Sequence, residues 1–446
     1  MQAPEQVVVR FEGDGAGEGP LSWGQTENWL AIQRQQTWLP LGGALPLPAG
    51  STVAGVADEL RYLLSRFPSL RTRLRLADGA PPTQVVAGSG EITLEVYDAG
   101  DRDAGAVARE VHEHYRDTDL DFTAEWPIRM AAVRKGGELT HLVALLSHFA
   151  VDATGATVML AGVSTRDTTP MTGQQPLEQA AWQRSPAGVR HNAAALRYWE
   201  GILRTLGPCR FTAPVVHTSP RYWQGEFISP DLHSAVRAIV RRTGVDSSTV
   251  LVALYAAALG EVSGIDPVAI RPTVSNRFRA GLADVVCTLV QAGLLMLHVA
   301  GTPFDELLER TRRVTLSAYK YAYFDPDAVA ELLDRVGRER GTAVEIGCFY
   351  NDRRGPNREQ DLETPEHAPE HAPEGSGLRW VSKQDAPAVE PLFVHVDDAP
   401  GTMRLTIQLD ADYLSPADGE GVLRAMERIA VDAADQVAAG TALQDR

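Results

Sequence analysis

The chain has 446 residues, 44% of them hydrophobic and 22% charged, with a formal net charge of −16. That length exceeds what one hydrophobic core usually serves, so two domains are expected, and the acidic balance speaks against a nucleic-acid binder, which needs a basic face. Cys209, Cys287 and Cys348 are too few and too scattered for a disulfide framework or paired metal ligands, the N-terminus does not read as a signal peptide, and no run approaches a membrane span of ~20 apolar residues, all of which fits a cytoplasmic protein.

Taken in order, residues 7–11 read as a short strand. The glycines of 13–19 match neither GxGxxG nor GxxxxGK[ST] and read as a flexible turn. Ser22 and Gln25 have capping-box spacing and open a helix. Residues 51–67 carry Val53, Val56, Leu60, Leu63 and Leu64 at helical spacing, with Thr52 as cap and Pro68 as stop. Residues 69–74 predict a strand that turns at Asp78-Gly79 and returns through 84–86, and 104–115 predicts a helix. Residues 129–134, a Lys135-Gly-Gly137 turn and 140–146 predict a hairpin. The Thr-, Pro-, Gly- and Gln-rich 164–176 reads as a linker.

Residues 181–206 predict one helix, and 223–228 a strand running into a helix at Ser229-Pro230 that ends at Gly244. Residues 247–262 are nearly all apolar, as in a buried helix. A strand over 268–274 ends at Ser275-Asn-Arg277, and 287–299 is too rich in Leu and Val for a loop. Helices over 304–321 and 326–338, a strand over 343–350, strands over 392–396 and 403–409, and a helix over 416–438 complete the pattern. Between them, 356–377 is acidic with a repeated Pro-Glu-His-Ala unit and reads as a disordered insertion without the context of a metal site. The domain expectation is an N-terminal lobe over 1–176 and a C-terminal lobe over 177–446, both of α+β type.

The most informative stretch is Leu142-Val-Ala-Leu-Leu-Ser-His-Phe-Ala-Val-Asp-Ala-Thr-Gly155. An apolar strand ends at Ser147, His148 follows, and Asp152 stands where it can cap the next helix. A histidine between two rigid elements is a good general base, since its ordinary pKa of about 6.5 lies near neutrality. From these residues alone, a core histidine satisfied by a backbone carbonyl is an equally good reading.

Across most of its length the sequence resembles the condensation domains of nonribosomal peptide synthetases, in the chloramphenicol-acetyltransferase-like superfamily. Ser147-His148-Phe-Ala-Val-Asp152-Ala153 stands in place of the family's HHxxxDG. Leu21-Ser-Trp-Gly-Gln25 with Trp29, Ser69-Leu-Arg-Thr-Arg73 with Asp78-Gly79 and Gln84-Val-Val86, and Asp119-Leu-Asp-Phe122 with Trp126-Pro-Ile-Arg129 resemble further family segments. So do Tyr198-Trp199 and the run from Ser247 to Val274-Ser-Asn-Arg277.

The resemblance implies an α/β sandwich of two chloramphenicol-acetyltransferase-like lobes in a V shape, with a tunnel between them. It assigns His148 the role of deprotonating or positioning the nucleophile. It makes Asp152 structural, paired with Arg277 across the lobes, and sets Ser147 and Ala153 beside them as the two departures from the motif. Ser275 and Asn276, with Trp23 and Gln291 less directly, become candidates for substrate contact. No bound cofactor or metal is expected. The donor would be a phosphopantetheine thioester on an acyl or peptidyl carrier protein, or coenzyme A. The absence of appended modules suggests a free-standing enzyme whose carrier comes in trans, with Arg237, Arg241 and Arg242 as candidate contacts. A coenzyme-A-dependent acyltransferase and a silent module that recruits partners are the alternatives. No GxSxG surrounds any serine, and Ser147 and His148, as strand neighbours, point to opposite faces.

Overall fold

The computed structural model describes residues 3–207, 217–355, 358, 359, 376–397, 399 and 401–444. By contacts the chain forms two compact units. Unit 1 comprises Met1–His191 with Ser275–Val290, and unit 2 comprises Asn192–Val274 with Gln291–Arg446.

In unit 1, β1 (Glu5–Glu12), β3 (Pro40–Pro46), β6 (Ser89–Asp98), β7 (Ile128–Lys135) and β8 (Glu138–Ser147) form a five-stranded sheet of order β1-β6-β7-β8-β3. A second sheet joins β2 (Gly17–Pro20), β5 (Thr83–Val86) and β4 (Thr72–Arg75). The large sheet is covered on both faces, and β7 shows why. Ile128, Met130 and Ala132 join the core of α2 (Val53–Arg66), while Ala131 and Val133 join that of α3 (Ala104–Asp117). Alternate side chains point to opposite faces, so a strand covered on both reads as one apolar run. Ser22 caps α1 (Trp23–Gln35) through a capping box with Gln25, and Thr52 caps α2, as their spacing predicts.

Unit 2 has one eight-stranded sheet whose main path is β11-β10-β13-β15-β16-β9-β14, with β12 also on β10. These strands are β9 (Tyr222–Ser229), β10 (Val268–Val274), β11 (Gln291–Ala292), β12 (Leu295–Leu297), β13 (Cys348–Asp352), β14 (Gly377–Gln384), β15 (Leu392–Asp397) and β16 (Met403–Asp410). The apolar helix α8 (Ser247–Ser263) is the centre of its core. It is preceded by α7 (Pro230–Thr243) and followed by α9 (Phe304–Lys320), α10 (Pro326–Arg340) and α11 (Pro416–Gln444). Among the described residues no single helix is long and apolar enough to cross a membrane.

Several expectations change. The 164–176 stretch does not end unit 1: Gln174 N donates to Gly281 O at 2.8 Å, and the unit runs on to His191. The helix expected over 181–206 is broken at Ser185 into α5 (Pro176–Arg184) and α6 (Pro186–Thr205), because Pro186 starts a new first turn. Residues 68–71 form a 3-10 turn rather than strand, and β13 begins only at Cys348. Part of the glycine-rich turn, Gly17–Pro20, pairs with β5. The 287–299 segment supplies two short strands, both on β10. Most of the insertion expected over 356–377 lies outside the described residues, as does Cys209.

Candidate active site

The β8-to-α4 connection places the motif residues. β8 ends at Ser147, a tight turn carries His148, and Asp152 caps α4 (Ala153–Thr165) by accepting from Gly155 N at 2.7 Å. The turn is closed by Ala150 N on Ser147 O at 2.9 Å. His148 is partly buried, and its Nδ1 is buried with no hydrogen-bond partner from another residue. Desolvation lowers its pKa below the ordinary value, against smaller opposing effects of its own backbone and of Asp152. This shift favours the neutral form of the imidazole.

Asp152 is fully engaged elsewhere. Its Oδ1 accepts from Arg277 Nη2 at 2.6 Å as well as from Gly155 N, and its Oδ2 accepts from Leu289 N at 2.9 Å. Arg277 Nη1 donates to Val285 O at 2.6 Å, and Nη2 reaches Cys287 O at 3.2 Å. A carboxylate and a guanidinium buried together in this way satisfy one another's charge. The expectation that this pair ties the two lobes together is corrected: both residues belong to unit 1. What the pair fixes is the 275–290 segment. Ser69 Oγ on Val286 O at 2.8 Å and Asn28 Nδ2 on Thr288 Oγ1 at 2.7 Å hold the same segment. Cys287 donates no thiolate chemistry, since burial pushes its thiol up to about 12.

The motif departures sit differently. Ser147 is 0% exposed and hydrogen-bonded through its hydroxyl, whereas Ala153 is exposed in the first turn of α4 without a left-handed φ. Alanine is thus unstrained at that position.

The candidates for substrate contact are not brought together. Ser275 is exposed beside Asn276, but Asn276 is fully buried, left-handed at φ 59°, with Nδ2 on Leu289 O at 3.0 Å. Trp23 is buried and stacked on His191, with Trp182 edge-on. Gln291 lies in unit 2 and brackets the backbone of Phe324, donating to its O at 3.0 Å and accepting from its N at 3.3 Å. Burial and backbone bonding give Trp23, Asn276 and Gln291 packing roles. Of the α7 arginines, Arg242 is engaged by Asp305 at 2.7 Å and Arg237 is partly buried, which leaves Arg241 exposed. Sequence reasoning missed Trp38 and Leu39, whose backbone carbonyls hold the Ser147–His148 turn, and Gln179, whose buried amide donates to Cys287 Sγ in the 275–290 segment at 3.3 Å.

The comparisons with known proteins agree on a family. A family model described as Condensation domain matches residues 47–345. The nonribosomal-peptide-synthetase-type protein CymA of Salinispora arenicola is 25% identical over 340 residues, which is 71% of this chain but 4% of CymA. A solved structure concerned with condensation-domain-mediated chain release from the enacyloxin polyketide synthase superposes with a TM-score of 0.72 at 19% identity, covering 94% of this chain and 82% of that one. The X-domain of teicoplanin biosynthesis, solved in complex with OxyB, superposes with a TM-score of 0.71 at 16% identity and covers 95% of both chains. This chain belongs to the condensation domain family.

Proposed function

We propose that the protein joins an acyl or aminoacyl group, presented as a carrier-protein thioester, to an amine or hydroxyl acceptor in natural-product biosynthesis. The observation that carries this reading is His148, a partly exposed histidine on the turn just after β8, with Nδ1 buried and without a hydrogen-bond partner from another residue. In the reaction the acceptor's nitrogen or oxygen bonds to the thioester carbonyl carbon while His148 Nε2 takes the acceptor's proton. Collapse of the tetrahedral intermediate breaks the C–S bond, and the proton passes to the departing thiolate. Asp152 is not an orienting partner for the ring, because both its oxygens are occupied. It keeps α4 and the 275–290 segment in place beneath the histidine turn.

A second reading is a silent binding module. The likeness to the X-domain, a protein solved bound to OxyB, and the departures at Ser147 and Ala153 favour it. Intact-mass analysis separates the two. The protein is mixed with an acylated carrier protein or an acyl-coenzyme A and a panel of amines and alcohols. Formation of product and loss of acyl mass from the carrier support condensation. Tight carrier binding with no transfer to any acceptor supports the binding module, and transfer from coenzyme A alone removes the carrier from the account.

A further inference from the structure

His148 lacks what usually aims a catalytic histidine, a carboxylate or carbonyl of another residue on its second nitrogen. Its direction must therefore come from the main chain, and the Trp38–Leu39 side grips the main chain there twice. Ser147 is 0% exposed and every polar atom it has is used. Its N donates to Pro127 O at 2.9 Å, and its O accepts from Ala150 N at 2.9 Å and Val151 N at 3.3 Å. Its hydroxyl donates to Trp38 O at 2.8 Å while accepting from Phe149 N at 3.2 Å. One residue on, His148 N donates to Leu39 O at 2.9 Å. Two consecutive carbonyls thus hold two consecutive residues, just beyond the point where β3 meets β8 at Pro40 opposite Ser147.

The gripping side is itself anchored. Leu39 has φ 50°, a left-handed conformation that a leucine rarely adopts and that surrounding structure must enforce. Trp38 is 2% exposed, its Nε1 donates to Arg116 O at 3.1 Å, and the Arg129 guanidinium lies 5.2 Å from its ring centre. Arg129 is tied in turn to the carbonyls of Tyr115, Thr118 and Asp119. The Trp38 carbonyl has little freedom to drift.

We infer that Trp38 and Ser147 form a clamp that positions the His148 imidazole, with a main-chain grip standing in for an orienting carboxylate. This rests on the reading of His148 as the base. Both are positioning residues, since neither needs to touch the substrate.

The test compares wild type with Ser147→Ala and Ser147→Thr. Loss of the hydroxyl is expected to lower kcat about 10- to 100-fold with little change in KM, the scale on which a small misplacement acts, and to move the acid limb of the pH–rate profile. Ser147→Thr, which retains the hydroxyl, recovers most of the rate. A Ser147→Ala enzyme with wild-type kcat and pH profile, or a folded Ser147→Thr enzyme as impaired as it, overturns the clamp. A second readout needs no turnover: imidazole 15N shifts report one His148 tautomer in wild type and an altered one in Ser147→Ala, while unchanged shifts overturn the inference. Trp38→Phe removes the Nε1 anchor and gives the same two readouts should Ser147→Ala not fold. If wild type transfers no acyl group at all, the functional reading fails, and the 15N shifts still decide the clamp.

Discussion

Arg277 Nη2 lies 2.6 Å from Asp152 Oδ1, although the two residues are 125 positions apart in sequence. Both side chains are buried, with exposures of 7% and 4%, so the pair has little screening and little water to fall back on. The same carboxylate caps α4 and receives Leu289 N, which makes it the knot between a helix start and a segment from the second half of the sequence.

Replacing Asp152 by asparagine keeps the shape and removes the charge. The Arg277 guanidinium is then buried without its counter-ion, and the amide presents a donor toward Leu289 N–H unless it rotates. The expected loss is about 3–5 kcal/mol, read as a lower urea midpoint for unit 1. A variant with the wild-type midpoint contradicts the structural role.

Gly155 tests the closeness of this packing by a different route. A Cβ there would stand 3.0 Å from both Arg277 Nη2 and Cys287 O. Neither neighbour can withdraw easily, since the first is held by Asp152 and the second by Arg277. Gly155→Ala is expected to cost about 1–3 kcal/mol by overpacking, although alanine is the better helix former. Calorimetry showing an unchanged or raised Tm would refute the tight contact.

Acid sensitivity in unit 2 centres on His395. Burial first, then Arg353, lowers its pKa to about 4, with Asp397 and Gln408 acting the other way, and its ring stacks on Phe393 with centroids 4.0 Å apart. The folded state therefore resists protonation that the unfolded chain accepts below about 6.5. Its stability is complete above that pH and falls as pH drops from about 6.5 toward 4, by up to about 3 kcal/mol. His233 in unit 2 and His148 in unit 1, also lowered by burial, act in the same direction. Urea melts at pH 7 and pH 5 are expected to show a smaller acid loss for His395→Phe than for wild type, and equal losses would remove His395 from the account.

Much of this was legible in the sequence where local chemistry carries the signal. Ser22, Thr52, Asp152 and Ser229 each mark a helix start because a side-chain oxygen must meet the free N–H groups there, and all four do so. What failed was long-range. β3 reads Pro-Leu-Gly-Gly-Ala-Leu-Pro, which looks like loop; it is a strand because β8 pairs with it, and its place at the sheet edge tolerates proline. At Gly42 a Cβ would fall 2.0 Å from Ala144 O, so the glycine serves the close approach of the two strands. Nothing local says that 275–290 belongs with the first unit. The site divides the same way. His148, Asp152 and Arg277 stand out by residue type and by resemblance, whereas the Trp38 and Leu39 carbonyls that hold the turn are backbone atoms, which no residue code reveals.

The most direct measurement is the single-turnover rate of acyl transfer from an acylated carrier protein to an accepted nucleophile, by intact mass, for wild type and His148→Ala. The ring makes no hydrogen bond to another residue through Nδ1, so its removal is expected to leave the fold intact. The account predicts that folded His148→Ala transfers about 100- to 10,000-fold more slowly than wild type. Equal rates for the two proteins would contradict it.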